Sequence, residues 1–205
     1  MSHQRKIVSA LLKRIFDVCF AILGLVCLAP VILIACIAVG LSSGLPIFFN
    51  QERIGRNLKP FQIYKFRTMR ISNKQNESQI TSSDDRRITA IGSILRKSKI
   101  DEIPQLFNVL RGDMSFVGPR PEVPKYVKLY QNEFSEVLAV RPGITDLASI
   151  KYRNENELLA NSENPEIEYI DTILPDKLSL AKEYVENQSL KNDLLLIFRT
   201  LLSLT

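Results

Sequence analysis

VCFAILGLVCLAPVILIACIAVGL, residues 18–41, is the stretch that decides what kind of chain this is, because its 24 residues carry no charge. That length is enough to cross a hydrocarbon core of roughly 30 Å as one helix. Two features oppose a simple crossing. Pro30 stands near the centre, where it removes a backbone hydrogen bond and kinks or breaks a helix. Basic residues also flank both ends, with Arg5, Lys6, Lys13 and Arg14 before the run and Arg53, Arg56 and Lys59 after it. Under the positive-inside rule both flanks ask for the cytoplasmic face. A helix that enters, breaks at Pro30 and returns meets that demand, since each half of about 12 residues is too short to cross. Proline is tolerated in membrane helices, so the residues alone leave span and re-entrant hairpin open. A cleaved signal peptide fits less well, because the run is too long and lacks a small-residue cleavage site.

Composition narrows the chemistry. The 205 residues suffice for one catalytic unit with appendages. We divide them into a membrane anchor over 1–45 and a cytoplasmic catalytic domain over 46–205. A formal charge of +5 and a pI near 9.1 suit an anionic partner: nucleic acid, lipid headgroups or a phosphorylated substrate. Cys19, Cys27 and Cys36 all lie in the apolar stretch, where they read as small hydrophobes rather than a disulfide set or a zinc site. The single histidine, His3 at the tail, argues against a His-dependent triad, a His-rich metal cluster or an imidazole general base. The eight glycines form neither a dinucleotide-binding turn nor a P-loop. Catalysis, if present, runs on carboxylates and cations.

Beyond Gly44 and Pro46, Ile47–Ile54 and Phe61–Met69 read as two strands around a Gly55–Pro60 turn. Residues 71–87 have almost no apolar content and predict a mobile polar loop. Thr89 can cap a helix through Ile91, Ile94 and Leu95. Ser98 or Asp101 can start another that buries Ile103, Leu106, Phe107 and Leu110 before Gly112 ends it. A helix is expected over Pro124–Val140, and one or two more over Leu180–Leu202. The fold class is therefore α+β, mainly helical, with a small β-hairpin.

Residues 96–122, RKSKIDEIPQLFNVLRGDMSFVGPRPE, concentrate the unusual features. Asp101 and Glu102 stand at an expected helix start, preceded by Arg96, Lys97 and Lys99. Acidic residues favour first turns for ordinary reasons, so the pair alone has a structural reading. As neighbours in sequence they do not share one helix face, and in a functional reading they take different roles. A hard cation such as Mg²⁺ is usually held by one or two carboxylates plus substrate phosphates, which suits so small an acidic set. Gly118-Pro119-Arg120-Pro121 holds Arg120 on a rigid path, either as a structural turn or to present the arginine. Arg141-Pro142-Gly143 repeats that theme. On the second strand Lys65 and Arg67 alternate with Tyr64 and Phe66, which puts both cations on one face. Cations gathered from separate segments are what a diphosphate requires.

The order KRIFD (13–17), QERIG (51–55), YKFRTM (64–69), DDRRIT (84–89), LRKSKIDEIPQLFNVLRGDMSFVGPRPE (95–122) and RPGIT (141–145) strongly resembles the monotopic phosphoglycosyl transferases, the bacterial sugar transferase family. The resemblance runs from about residue 12 to 153. It implies a re-entrant membrane helix broken at Pro30 and a catalytic face with amphipathic helices at the inner-membrane interface. Members often carry serine before that proline, where this chain has Ala29. The resemblance further implies that Asp101 is nucleophile and Mg²⁺ ligand and that Glu102 completes the dyad. It places Arg96, Arg120 and Arg153 near bound phosphates. The implied reaction moves a sugar-1-phosphate from a UDP-sugar to undecaprenyl phosphate and releases UMP, as the first membrane step of O-antigen, capsule, exopolysaccharide or glycoprotein synthesis. Where members read RPGITGWAQVNGRN, this chain reads RPGITDLASIKYRN, which points to a different donor sugar or a different binding mode. A non-catalytic adaptor binding anionic lipid is the competing reading and predicts dispensable carboxylates. A nucleic-acid module rests on pI alone and is set aside. Oligomeric state, a homo-oligomer included, stays open.

Overall fold

The apolar run folds as two helices, α1 (His3–Cys27) and α2 (Ala29–Ser43), bent by 61° about Leu28. The structure is a computed structural model that describes residues 3–70 and 85–204. The break precedes Pro30, which sits in the first turn of α2. There its missing N–H has no intrahelical acceptor to lose. By length and composition no single described helix crosses a membrane, whereas this bent pair passes together.

The charges ahead of the apolar stretch dock α1 on the rest of the chain. Asp17, 1% exposed, accepts hydrogen bonds from Ser115 Oγ at 3.0 Å and Phe116 N at 3.2 Å. Arg14 donates to the carbonyls of Val109 (2.6 Å) and Leu110 (2.9 Å). Lys13 Nζ lies 2.6 Å from Asp193 Oδ2, and the Tyr184 hydroxyl lies 2.7 Å from Asp193 Oδ1. Asp193 is fully buried. Asp193→Ala should therefore leave the Lys13 ammonium unpaired and lower stability by about 3 kcal/mol, read as a fall in melting temperature.

The expected hairpin is present as β1 (Phe48–Ile54) and β2 (Pro60–Phe66), antiparallel from Phe48 opposite Phe66 to Ile54 opposite Pro60. Thr89 caps α3 (Ala90–Lys97) by accepting from Gly92 N at 2.9 Å. Only glycine fits at position 92, because a Cβ would sit 2.0 Å from the Thr68 carbonyl oxygen. Residues 71–84 of the expected polar loop lie outside the described residues.

After α3 the chain turns sharply at Lys99, whose φ of +58° is left-handed, into a 3₁₀ turn over Ile100–Glu102. Only then does α4 (Gln105–Arg111) begin. The dyad thus occupies a separate turn instead of the first turn of a longer helix. Of the residues expected to be buried, Phe107 is 48% exposed, while Gln105, Asn108 and Val109 are buried. The displaced start rotates the helix face. Gly112, in left-handed conformation, ends α4 as expected.

β3 (Ser115–Val117) and β4 (Gly143–Thr145) form a short parallel pair. A Cβ on Gly143 would lie 2.1 Å from Gly118 N, so the glycines of the two proline-rich motifs exist to let these backbones touch. The helices from Pro124 to Glu186 build one lobe around Val123, Tyr126, Phe134, Leu138, Leu159 and Leu174, and the last helix packs Leu196 against Val117 and Tyr184. The single helix expected over Pro124–Val140 is two, α5 (Pro124–Leu129) and α6 (Gln131–Val137), divided at Tyr130. The division lets Tyr126 and Val127 on one helix and Phe134 and Val137 on the other all reach the core. Then come α7 (Leu147–Lys151), α8 (Glu155–Ala160), α9 (Pro165–Glu168), a π-turn over Tyr169–Ile173, α10 (Leu174–Glu186) and α11 (Leu190–Leu204).

Candidate active site

Between the hairpin, the dyad turn and the helical lobe lies a cleft of about 620 Å³ in which cationic side chains outnumber carboxylates. Asp101, Glu102, Lys65, Arg67, Arg96, Arg120 and Arg153 all line it. The tight α3–Thr68 contact brings Arg96 in, and its Nε donates to Thr68 Oγ1 at 2.8 Å. The β3–β4 pair brings in Arg120. Arg153, exposed, comes from the turn between α7 and α8.

The two dyad carboxylates differ in their partners. Glu102 Oε1 accepts from Lys65 Nζ at 2.7 Å and from Arg120 at 3.0 Å. Burial opposes its charge, yet the Lys65 ammonium and Arg120 guanidinium outweigh burial and hold this carboxyl well below the usual carboxylate range. In return Glu102 raises Arg120 above the ordinary arginine value. Burial pulls Lys65 below the ordinary lysine value despite Glu102. Asp101 is 7% exposed, and its Oδ1 is buried with no hydrogen-bond partner. Burial, then the charge of Glu102, pushes its carboxyl above the usual range, against the pull of Lys65, Lys99 and Arg96. One carboxylate is thus tied to two cations. The other keeps one buried oxygen without a partner.

Two anticipated cations stand apart. Arg67 lines the cleft, but its guanidinium donates to the carbonyls of Ser43 (2.5 Å), Gly44 (2.6 Å) and Leu45 (3.1 Å), and so fastens the end of α2 to the hairpin. Arg141 is not brought to the cleft. Its Nε donates to the Gly112 carbonyl at 2.8 Å, because the β3–β4 pairing leaves it beside the end of α4.

Three groups were not anticipated. Glu122, the last residue of the GPRPE motif, accepts from Arg53 (2.9 Å), Val123 N (2.9 Å) and Tyr169 (2.7 Å) and joins hairpin to lobe across the cleft floor. Asp146, in the segment that departs from the family pattern, caps α7 by accepting from Ser149 N and Oγ, each at 2.6 Å. Its other oxygen accepts from Arg120 N at 3.1 Å. The Asp-x-x-Ser spacing is a legible cap signal. Tyr152, which also lines the cleft, donates its hydroxyl to Asp176 at 2.8 Å. The altered segment therefore forms cleft wall and orients the backbone of Arg120.

No group of three or more acidic, histidine or cysteine side chains suited to a metal ion occurs among the described residues. A cation here would have to draw on few protein ligands, the Asp101 carboxylate first among them.

The family described as "Bacterial sugar transferase" matches residues 8–205. An exopolysaccharide production protein of Sinorhizobium fredii is 36% identical over 204 residues, covering 92% of this chain and 83% of the relative. A UDP-glucose:undecaprenyl-phosphate glucose-1-phosphate transferase of Caulobacter vibrioides is 37% identical over 195 residues, covering 94% and 69%. A UDP-N-acetylgalactosamine-undecaprenyl-phosphate N-acetylgalactosaminephosphotransferase of Aeromonas hydrophila is 34% identical over 195 residues, which is 94% of this chain and 43% of that longer protein.

Proposed function

The chain belongs to the bacterial sugar transferase family and is a transferase, and on that premise we propose that it moves a sugar-1-phosphate from a UDP-sugar to undecaprenyl phosphate through a covalent phosphosugar on Asp101. The observation that carries this is the buried, unpartnered Oδ1 of Asp101 in a cation-lined cleft, next to a Glu102 already committed to Lys65 and Arg120. An oxygen with no hydrogen bond to break is free to attack, and burial keeps it basic. Asp101 attacks the phosphorus nearer the sugar, the bond to the bridging oxygen breaks, and UMP leaves with that electron pair. An oxygen of the lipid phosphate then attacks the same phosphorus and frees the carboxylate. No proton need be removed in either step, which agrees with a chain whose only histidine is at its tail. Arg96, Arg120 and Arg153 supply positive charge around the transferring group. Lys65 and Arg120 keep their places because Glu102 holds them.

Mg²⁺ fits this arrangement, with Asp101 as protein ligand and substrate phosphates as the others, which is how that ion is usually held. When bound it neutralises diphosphate charge.

We further assign the bent helix pair to the membrane as a re-entrant element on the cytoplasmic face. The charge-free part of α1 after Asp17 extends only from Val18 to Cys27, about 15 Å at 1.5 Å per residue, and α2 with its 15 residues spans about 22 Å. Neither reaches across roughly 30 Å of hydrocarbon. Cysteine labelling should find positions 4 and 57 accessible from the same side of the inner membrane. Opposite sides would establish a true span.

The reaction is tested by supplying a panel of UDP-sugars to the purified protein with undecaprenyl phosphate. UMP release with one donor, and a lipid product carrying that sugar, is the expected result. A protein that releases UMP from none of them, yet binds anionic vesicles, would be the adaptor.

A further inference from the structure

The rim of the cleft next to α2 is apolar and open. Phe48 and Phe49 are 43% and 46% exposed, and Leu45, in the link from α2, is 79% exposed. Arg67 fixes this rim to the end of α2 through three carbonyls, so the position of the rim follows that of the helix. Strand alternation sends the two aromatic rings to opposite faces. Phe48 stacks on Phe66 with ring centres 5.3 Å apart. Phe49 faces the cleft, directly across the hairpin from Lys65, the cation bonded to Glu102 beside Asp101.

An open ring at the mouth of a site for phosphates has two chemical uses: it can stack on a nucleobase, or it can carry hydrocarbon. The location favours hydrocarbon. The ring stands on the strand that leaves an apolar helix, with Leu45 exposed between them, and a cation lies behind it to receive a phosphate. The helical lobe supplies another aromatic group to the same cleft, the half-buried Tyr152, where a nucleobase can be served, whereas the rings of Tyr126 and Tyr169 are packed in the core.

Resting on the transferase reading above, we propose that Leu45 and Phe49 form a threshold over which the first isoprene units of the lipid acceptor lie, so that its phosphate arrives at Asp101 from the Lys65 side. Donor and acceptor then use different walls of one cleft. The two anions need not pass each other, and a phosphate without an isoprenoid chain is a poor acceptor.

The test separates the two halves of the reaction in the full-length protein. Phe49→Ser should raise KM for undecaprenyl phosphate by about tenfold, Phe49→Leu by less than about threefold, with KM for the UDP-sugar and inhibition by UMP moving less than about twofold in either. If Phe49→Ser weakens UMP inhibition and raises the UDP-sugar KM instead, the ring stacks on uracil and the threshold is refuted. Unchanged constants for both substrates would refute it equally. A second measurement does not depend on turnover or on the variants folding. A polyprenyl phosphate bearing a photoreactive group on its first isoprene unit should label residues 45–49 of the unaltered protein, and undecaprenyl phosphate should compete the label away. Labelling confined to other segments would overturn the proposal even in an active enzyme. Labelling at 45–49 in a protein that releases UMP from no donor would uphold the lipid threshold and reject the transfer reaction.

Discussion

Asp101→Asn should leave no phosphosugar on the protein when a UDP-sugar is supplied alone, and should lower transfer by at least about 10³-fold, or ~4 kcal/mol in the transition state. The same substitution should make the protein more stable at neutral pH. Burial raises the Asp101 carboxyl above its ordinary value of 3.8, so the folded chain holds this proton more tightly than the unfolded chain does. A group of that kind favours the folded state at low pH, and the contribution is lost as pH rises through the raised value. Above that raised value the native site carries a buried charge that destabilises it, and asparagine removes the charge while keeping the shape. Each ~1 kcal/mol recovered should appear as about 2–4 °C in melting temperature for a chain of this size, and the gain should shrink as the pH is lowered. Adduct formation by the native protein should slow as pH falls through the raised value, above 3.8. Intact-mass analysis and thermal melts decide this. A stable adduct on the asparagine variant would remove Asp101 as nucleophile, and a lower melting temperature would mean that its charge is compensated in the native site.

Glu102→Ala should be the most damaging change to the site's architecture, with a loss of about 3 kcal/mol in stability, because both the Lys65 ammonium and the Arg120 guanidinium lose their shared acceptor. Glu102→Gln keeps the shape and one acceptor oxygen, and should lose about 1–2 kcal/mol. Its effect on chemistry should differ in kind from that of Asp101→Asn. The phosphosugar adduct still forms, more slowly, since Glu102 positions cations and does not itself attack phosphorus. Burial lowers the Lys65 pKa and Glu102 opposes that effect, so without the carboxylate charge Lys65 loses its proton at lower pH. The alkaline limb of the pH profile should move down in Glu102→Gln. A variant with the native profile and a normal adduct rate would show that Glu102 serves the fold alone.

Much of the site was readable because its residues are held by local rules. Thr89 caps α3, Gly112 ends α4, and the strands lie close to where their apolar and turn residues put them. The dyad turn was less readable: nothing in Lys99 announces a left-handed backbone, yet that one residue separates Asp101 and Glu102 from the helix they seemed to start. Arg67 and Arg141 illustrate a second limit. Both have the residue type and flanking motif of a phosphate ligand, and both spend hydrogen bonds on backbone carbonyls, at the end of α2 and of α4. A guanidinium satisfies a carbonyl as well as a phosphate, so its partner is set by which oxygen the fold brings near.

The sequence by itself determined the apolar pair interrupted near Pro30, the hairpin, the helical majority and the concentration of charged cleft residues between Arg96 and Glu122, because charge, period and proline act over a few residues. Only the tertiary structure decided the division of labour in the dyad. Whether a buried carboxylate is tied or free depends on cations that approach from β2 and from the turn before α5, 37 and 18 positions away from Glu102. The same holds for Asp17, Lys13 and Arg14, which look like the polar flank of a membrane segment and instead fasten it to Ser115, Asp193 and the end of α4. Burial and pairing are properties of distance in space, which the order of residues does not state.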